Sequence, residues 1–286
     1  MARKDIMIQS ITRNGYFYFS NISISNQQDI CIIFFPGLGQ DLNEQFNIFS
    51  KIRKLIEKDQ SVDYLQFDYH GCGESIGELA DCRLDDLLKS SNEVIKESGV
   101  LKYKSVICIC MGIGGYIATE LFNNSAFKKM NTHYIYLNYP KEKKSILQAK
   151  LEKDFLKEEI IDMTKLCPGE DYLYLKDIDA NVFYEFSDLG GDFNNLHGQY
   201  ISKKLIYDIS SIDYFKHLVE TKNIKRKKII VTNDFFKRNS FKEKLKEVNI
   251  KILNNKGVSF SCFDSQQALF IEIINIINDH KNNLIN

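Results

Sequence analysis

Apolar residues along the chain fall into short unbroken runs that alternate with stretches of three-to-four-residue periodicity. That alternation is the mark of strands and amphipathic helices in an α/β protein. The run Cys31-Ile32-Ile33-Phe34-Phe35 is apolar at every position, as expected for a strand covered on both faces. Val62 to Tyr69, Ser105 to Ile109, Tyr134 to Tyr139, Lys228 to Val231 and Ile250 to Leu253 read as further strands. Between them the periodicity predicts helices from about Glu44 to Lys58, with Phe46, Phe49, Ile52 and Ile56 on one stripe, and over Leu84 to Glu97 and Gly114 to Phe122. Later helices are predicted over Lys203 to Val219, Ser240 to Glu247 and Gln266 to Asn278. At the start, Ile6 to Thr12 and Tyr16 to Ser23 flank Arg13-Asn14-Gly15, and the Asn-Gly pair predicts an antiparallel hairpin.

One region interrupts the alternation. Residues 141–199 open with a charged amphipathic stretch (Ser145 to Leu166, read as helix), pass Pro168-Gly169 and end in the polar segment Asp188 to Asn195. The reading is a core of residues 1–140 and 200–286 carrying an inserted cap over 141–199. No Gly/Ser/Pro-rich linker divides the 286 residues, which suit one large core with one insertion. Strand, helix and insertion in this order predict a doubly wound, mostly parallel sheet with ligands at the carboxyl ends of its strands.

Composition narrows the function classes. Lys and Arg together number 38, as do Asp and Glu, so the formal charge is zero and there is no electrostatic footprint for nucleic acid. The basic run Lys222 to Lys228 reads as a solvated approach to the next strand. No window approaches the roughly 18 uninterrupted apolar residues of a membrane span. The first ten residues lack the long apolar run and small-residue cleavage site of a signal peptide. Seven cysteines, an odd number without framework spacing, imply reduced thiols and a cytoplasmic setting. Cys108 and Cys110 share a strand face, but no second pair completes a zinc site, so neither metal nor cofactor is expected.

The chemistry-bearing stretch is Val106 to Ala118, where a buried strand passes through small residues (Cys108, Cys110, Gly112, Gly114, Gly115) into a helix. That is the layout of a nucleophile elbow, whose tight turn tolerates only small neighbours. Phe35-Pro36-Gly37-Leu38-Gly39 looks like an oxyanion loop with Pro in the usual His place. Asp68-Tyr69-His70-Gly71-Cys72-Gly73-Glu74-Ser75 resembles an Asp-x-Arg-Gly-x-Gly-x-Ser turn with His70 in the Arg place. Gly198-Gln199-Tyr200-Ile201-Ser202 followed by Leu205, Asp208 and Ile209 is similar to the segment that leads from a cap back into a core. In this order, from about Ile30 to Asp279, these motifs resemble the α/β-hydrolase superfamily, in particular its compact esterase and serine-aminopeptidase-like members.

The resemblance implies a Ser/His/Asp triad, and this chain departs from it. In one register Gly112 takes the nucleophile position and no nucleophile exists; in the other, Cys110 takes it, flanked by Cys108 and Gly112. Both registers remain open on the sequence. The oxyanion donors would be the N–H groups of Leu38 and of the residue after the nucleophile position, Met111 or Ile113. The resemblance implies Asp234, in Ile229 to Asp234, as the acid. The segment matching the family histidine, Gly257 to Ser261, holds none.

The candidate base is then His197, before Gly198 at the cap exit. His70 reads as a structural hydrogen-bonding residue, His133 as the start of a strand, and His217 as part of a solvated helix face. The cap aromatics Tyr172, Tyr174, Phe183 and Tyr184 would line a pocket or pack the cap down. A serine or thiol needs a base within about 3 Å at neutral pH, though a cysteine at a helix N-terminus partly escapes this. The expectation is a non-hydrolytic or weakly active protein that binds a small acyl- or peptide-like ligand or a partner protein. The alternative is an acyl hydrolase or acyltransferase that works through Cys110.

Overall fold

The computed structural model describes residues 8–22, 29–58, 62–124, 126–139, 160–162, 200–220, 227–233, 236, 249–253, 260 and 262–285. The chain opens with β1 (Ile8–Ile11) and β2 (Phe17–Ser20), antiparallel around Gly15 at φ 88°, as the Asn-Gly pair predicts. Six parallel strands follow: β3 (Ile30–Phe35), β4 (Asp63–Phe67), β5 (Ser105–Met111), β6 (Asn131–Leu137) and later β9 (Lys227–Thr232) and β10 (Asn249–Leu253). They form one eight-stranded sheet in the order β1-β2-β4-β3-β5-β6-β9-β10, with antiparallel pairing only at β1–β2 and β2–β4.

Alternate residues of the central strands serve two separate cores. Ile30, Ile32, Phe34, Ile107, Ile109 and Met111 face α1 (Ile48–Ile56) and the last helix, α6 (Phe263–Ile285). Cys31, Ile33, Phe35, Cys108 and Cys110 face α2 (Leu84–Glu97), α3 (Ile113–Asn124), α4 (Lys203–Ser210) and α5 (Tyr214–Glu220). Each fully buried aliphatic or aromatic side chain is worth about 1.5–3 kcal/mol, so stability concentrates on these doubly covered strands.

Several expected boundaries move, each for a local reason. α1 starts at Ile48, because Glu44, Phe46 and Asn47 all have positive φ (62°, 55° and 54°), which no helix accommodates. Ile48 therefore takes the buried place expected of Phe46, which is 44% exposed. The helix expected over Lys203 to Val219 is two, because Asp213 Oδ1 accepts the Lys216 N–H at 2.8 Å and caps a new start. Within the stretch read as charged helix, Ile160–Asp162 forms β7, antiparallel to β8 (Tyr200–Ser202). Adjacent β-branched residues favour that strand over helix. The rest of the expected cap (141–199), with its aromatics, lies outside the described residues, as does the helix expected over Ser240 to Glu247. Among the described residues no helix is long and apolar enough to cross a membrane.

Candidate functional site

β3 and β5 are neighbours, yet β3 leads onward to α1 on one face and β5 to α3 on the other. Their carboxyl ends are therefore a topological switch point, where open α/β sheets form crevices. β5 does not stop at Ile109 but runs through Cys110 to Met111, and Ile113 already belongs to α3. The whole strand-to-helix bend is thus one residue, Gly112, at φ 48° with its N–H donated to the Leu137 carbonyl (3.3 Å). The next two glycines let α3 close onto the sheet. A Cβ on Gly114 would stand 2.4 Å from the Phe35 carbonyl oxygen, and one on Gly115 2.6 Å from the Tyr139 ring.

Of the residues singled out from the sequence, the structure gathers Leu38, Gly112, Ile113, Gly114 and Gly115 at this point. Leu38 is in the tight turn after β3, buried, and Ile113 opens α3, whose first-turn N–H groups have no partner within the helix. Met111 is still in the β5 ladder, paired with Leu137. Cys110 lies inside β5, opposite Phe35 and Tyr136, and is 1% exposed. Burial pushes its thiol well above the ordinary range, and it lies within electrostatic reach of the buried Tyr69, Tyr136 and Tyr139. Asp234 and His197 lie outside the described residues.

Buried polar groups collect around the same strand ends. Glu44, buried despite its polar side chain, takes the Gly37 N–H on Oε2 at 2.6 Å, one residue before Leu38. Tyr69 donates its hydroxyl to the Pro36 carbonyl at 3.0 Å. Asp68 accepts the N–H groups of Leu42 and Glu74, and desolvation nonetheless raises its carboxyl to about 7. The four non-glycine residues of positive φ among those described are Glu44, Phe46, Asn47 and Asn138, all in loops leaving β3 or β6 at this end of the sheet. Such conformations cost on the order of 1–3 kcal/mol each and cluster at functional sites. Glu44 was hidden in the sequence, where it reads as the first turn of a helix.

The histidines have definite places. His280 Nε2 meets Ser105 Oγ at 2.7 Å, and its ring packs 3.9 Å from that of His133. Ser105 begins β5, six residues before Met111, so at about 3.3 Å per residue this pair is about 20 Å from the bend. His70 is held by Tyr16 in an edge contact and fills the space above Gly77. His217 is not on a solvated face. Its Nε2 meets Glu120 Oε1 at 2.7 Å, its Nδ1 meets the Tyr139 hydroxyl at 3.3 Å, and its ring packs at a tilt 4.5 Å from that of Tyr116. α5 packs against α3, and that contact sets the imidazole against Glu120 and Tyr116. Among the described residues no group of three or more His, Cys, Asp or Glu is arranged to hold a metal ion.

No protein-family model and no curated protein matches the chain. Solved structures do. A putative hydrolase from Agrobacterium vitis S4 is similar with a TM-score of 0.64 at 13% identity, over 96% of this chain and 100% of that one. Mouse alpha/beta hydrolase domain-containing protein 10 gives 0.62 at 11% identity, over 96% and 99%. An esterase from Exiguobacterium antarcticum gives 0.58 at 14% identity, over 96% and 100%. At such identities the likeness establishes the architecture: the chain has the α/β-hydrolase fold.

Proposed function

We infer that this α/β-hydrolase-fold protein binds a small acyl- or peptide-like carbonyl compound, or a protein partner presenting one, and does not cleave it. The observation that carries the reading is Gly112, the single residue of the bend, which has no side chain with which to attack a bound carbonyl. What the bend retains is donors. In this reading the Leu38 and Ile113 N–H groups would hold a carbonyl oxygen, and the N-terminus of α3 favours partial negative charge there.

Cys110 is poorly suited to replace the missing nucleophile. Its thiol is inside the strand, against tyrosine rings, and its raised pKa leaves little thiolate at neutral pH. His217 has both ring nitrogens engaged by Tyr139 and Glu120. The free thiols Cys31, Cys72, Cys82, Cys108, Cys110 and Cys262 support a reducing, cytoplasmic setting.

The test pairs cleavage with labelling. p-Nitrophenyl esters of short and long acyl chains should turn over at the background rate, equally in the wild type and in Cys110→Ala. Iodoacetamide should modify Cys110 only after unfolding, while N-acetyl amino-acid amides raise the melting temperature and are recovered intact. Turnover above background that Cys110→Ala abolishes would establish a thiol hydrolase and overturn the reading.

A further inference from the structure

On the far side of the sheet from α3, the helices α1 and α6 leave a groove of about 530 Å³ between them. Its walls are Leu55 of α1 and Phe263, Phe270, Ile271 and Ile274 of α6. Two of these are large apolar residues facing solvent: Phe263 is 72% exposed and Ile271 63%. Apolar side chains that line an open groove can seat the apolar part of a ligand.

The polar groups at the groove are not random. Its charged residues among those described, Lys51 and Lys54, are both cations, and no described carboxylate lines it. Lys51 is held in position: its ammonium donates to Gln266 Oε1 at 2.8 Å, and Gln266 Nε2 donates in turn to the Phe260 carbonyl at 2.9 Å. Gln266 is only 6% exposed, so a buried amide fixes where that positive charge stands. Lys54 makes no ion pair among the described residues.

Size decides between a small ligand and a protein. The groove falls within the roughly 300–1,000 Å³ of small-molecule sites. A stable protein partner would cover about 800 Å² of this surface, far more than one cleft between two helices. Charge decides between a neutral and an anionic ligand, because two ammonium groups without an acid favour a carboxylate. We propose that the α1–α6 groove is a binding site for a free fatty-acid anion of medium length, its chain along Phe263, Phe270, Ile271 and Ile274 and its carboxylate at Lys51 and Lys54. None of these residues belongs to the bend at Gly112, so the proposal stands independently of what the bend does.

The test uses the full chain and a dansylated undecanoate as fluorescent probe. Probe fluorescence should rise saturably with one site per chain, and decanoate should displace it. Decanol should compete about fivefold less well and decyltrimethylammonium less well again, as surface charge pairing of up to about 1 kcal/mol allows. Lengthening the competing carboxylate should tighten binding about two- to fourfold per methylene, the lower end reflecting a groove open on one side.

Ile271→Glu, at an exposed position that does not threaten folding, should weaken the probe more than tenfold. The double variant Lys51→Gln/Lys54→Gln should bring decanoate and decanol to the same affinity. Wild-type binding by Ile271→Glu, including binding of the probe at the Gly112 bend instead, overturns the proposal. So does indifference to head-group charge. Binding to phosphatidylglycerol vesicles without displacement by monomeric decanoate overturns it too, because the face is then a bilayer contact.

Discussion

Substituting the glycines of the bend one at a time separates conformational strain from collision. Gly112 needs a positive φ (48°) but sits in the left-handed region that other residues visit at a cost of about 1–2 kcal/mol. Gly114 has an ordinary helical backbone, yet its missing Cβ would meet the Phe35 carbonyl oxygen at 2.4 Å and the Pro36 carbonyl oxygen at 2.6 Å. Those are backbone atoms at the root of the Gly37–Leu38 turn, and they cannot rotate aside as a side chain would. Overpacking costs about 1–3 kcal/mol and sometimes more, and a collision with backbone belongs at the upper end. Gly112→Ser should therefore lower stability by about 1 kcal/mol and Gly114→Ala by about 3 kcal/mol or more. For a chain of this size those values correspond to melting temperatures lower by about 2–4 °C and about 6–12 °C. Thermal unfolding followed by far-UV circular dichroism reads both. Gly112→Ser should also stay at background ester turnover, because a hydroxyl with no base to take its proton is a poor nucleophile. An unaltered melting temperature in Gly114→Ala, or a smaller loss there than in Gly112→Ser, would refute the claim that α3 is docked directly on the turn after β3.

Two further outcomes follow from the buried carboxylates. Glu44→Ala leaves the buried Gly37 N–H without its acceptor and should cost about 1–3 kcal/mol, whereas Glu44→Gln keeps an acceptor oxygen and should lose less. Faster hydrogen exchange at Gly37 in the alanine variant identifies the turn as the place affected, and equal stability of all three proteins would sink the argument. Asp68 has its carboxyl raised to about 7 in the folded state, so the proton binds the folded chain more tightly than the unfolded one. Its contribution to stability is full below about pH 4 and is lost as pH rises through about 7, about 4 kcal/mol in all at about 1.4 kcal/mol per pH unit. Relative to Asp68→Asn, the wild type should lose ground between pH 4 and pH 8 in urea midpoints, and a difference independent of pH would show that the carboxyl is not raised.

How far the sequence anticipates this molecule depends on the range of the interaction that decides each feature. α2 has the bounds its periodicity predicts, Leu84–Glu97, because its apolar stripe and its first-turn acids Asp85 and Asp86 act within a few residues. The unbroken apolar run of β3 announces a strand covered on both faces, and the two cores on either side of it use that run alternately. Cys110 and Met111 were ambiguous because small or flexible apolar residues suit a strand and a tight turn equally. The choice falls to cross-strand pairing with Phe35, Tyr136 and Leu137.

Long-range partners were invisible. α6 continues well past Asn278, where the sequence turns polar, because His280 has a partner 175 residues away in Ser105 and a ring packed against it in His133. Glu44 has its partner only seven residues away, but the contact requires a loop with positive φ at Glu44, Phe46 and Asn47, which no residue type there advertises. The same asymmetry governs the candidate site. Its glycines are legible because backbone geometry demands them, whereas the carboxylate that holds the Gly37 N–H is legible only once the chain has folded. A residue-by-residue match to a catalytic pattern therefore finds the frame of this site and misses the side chain that organises it.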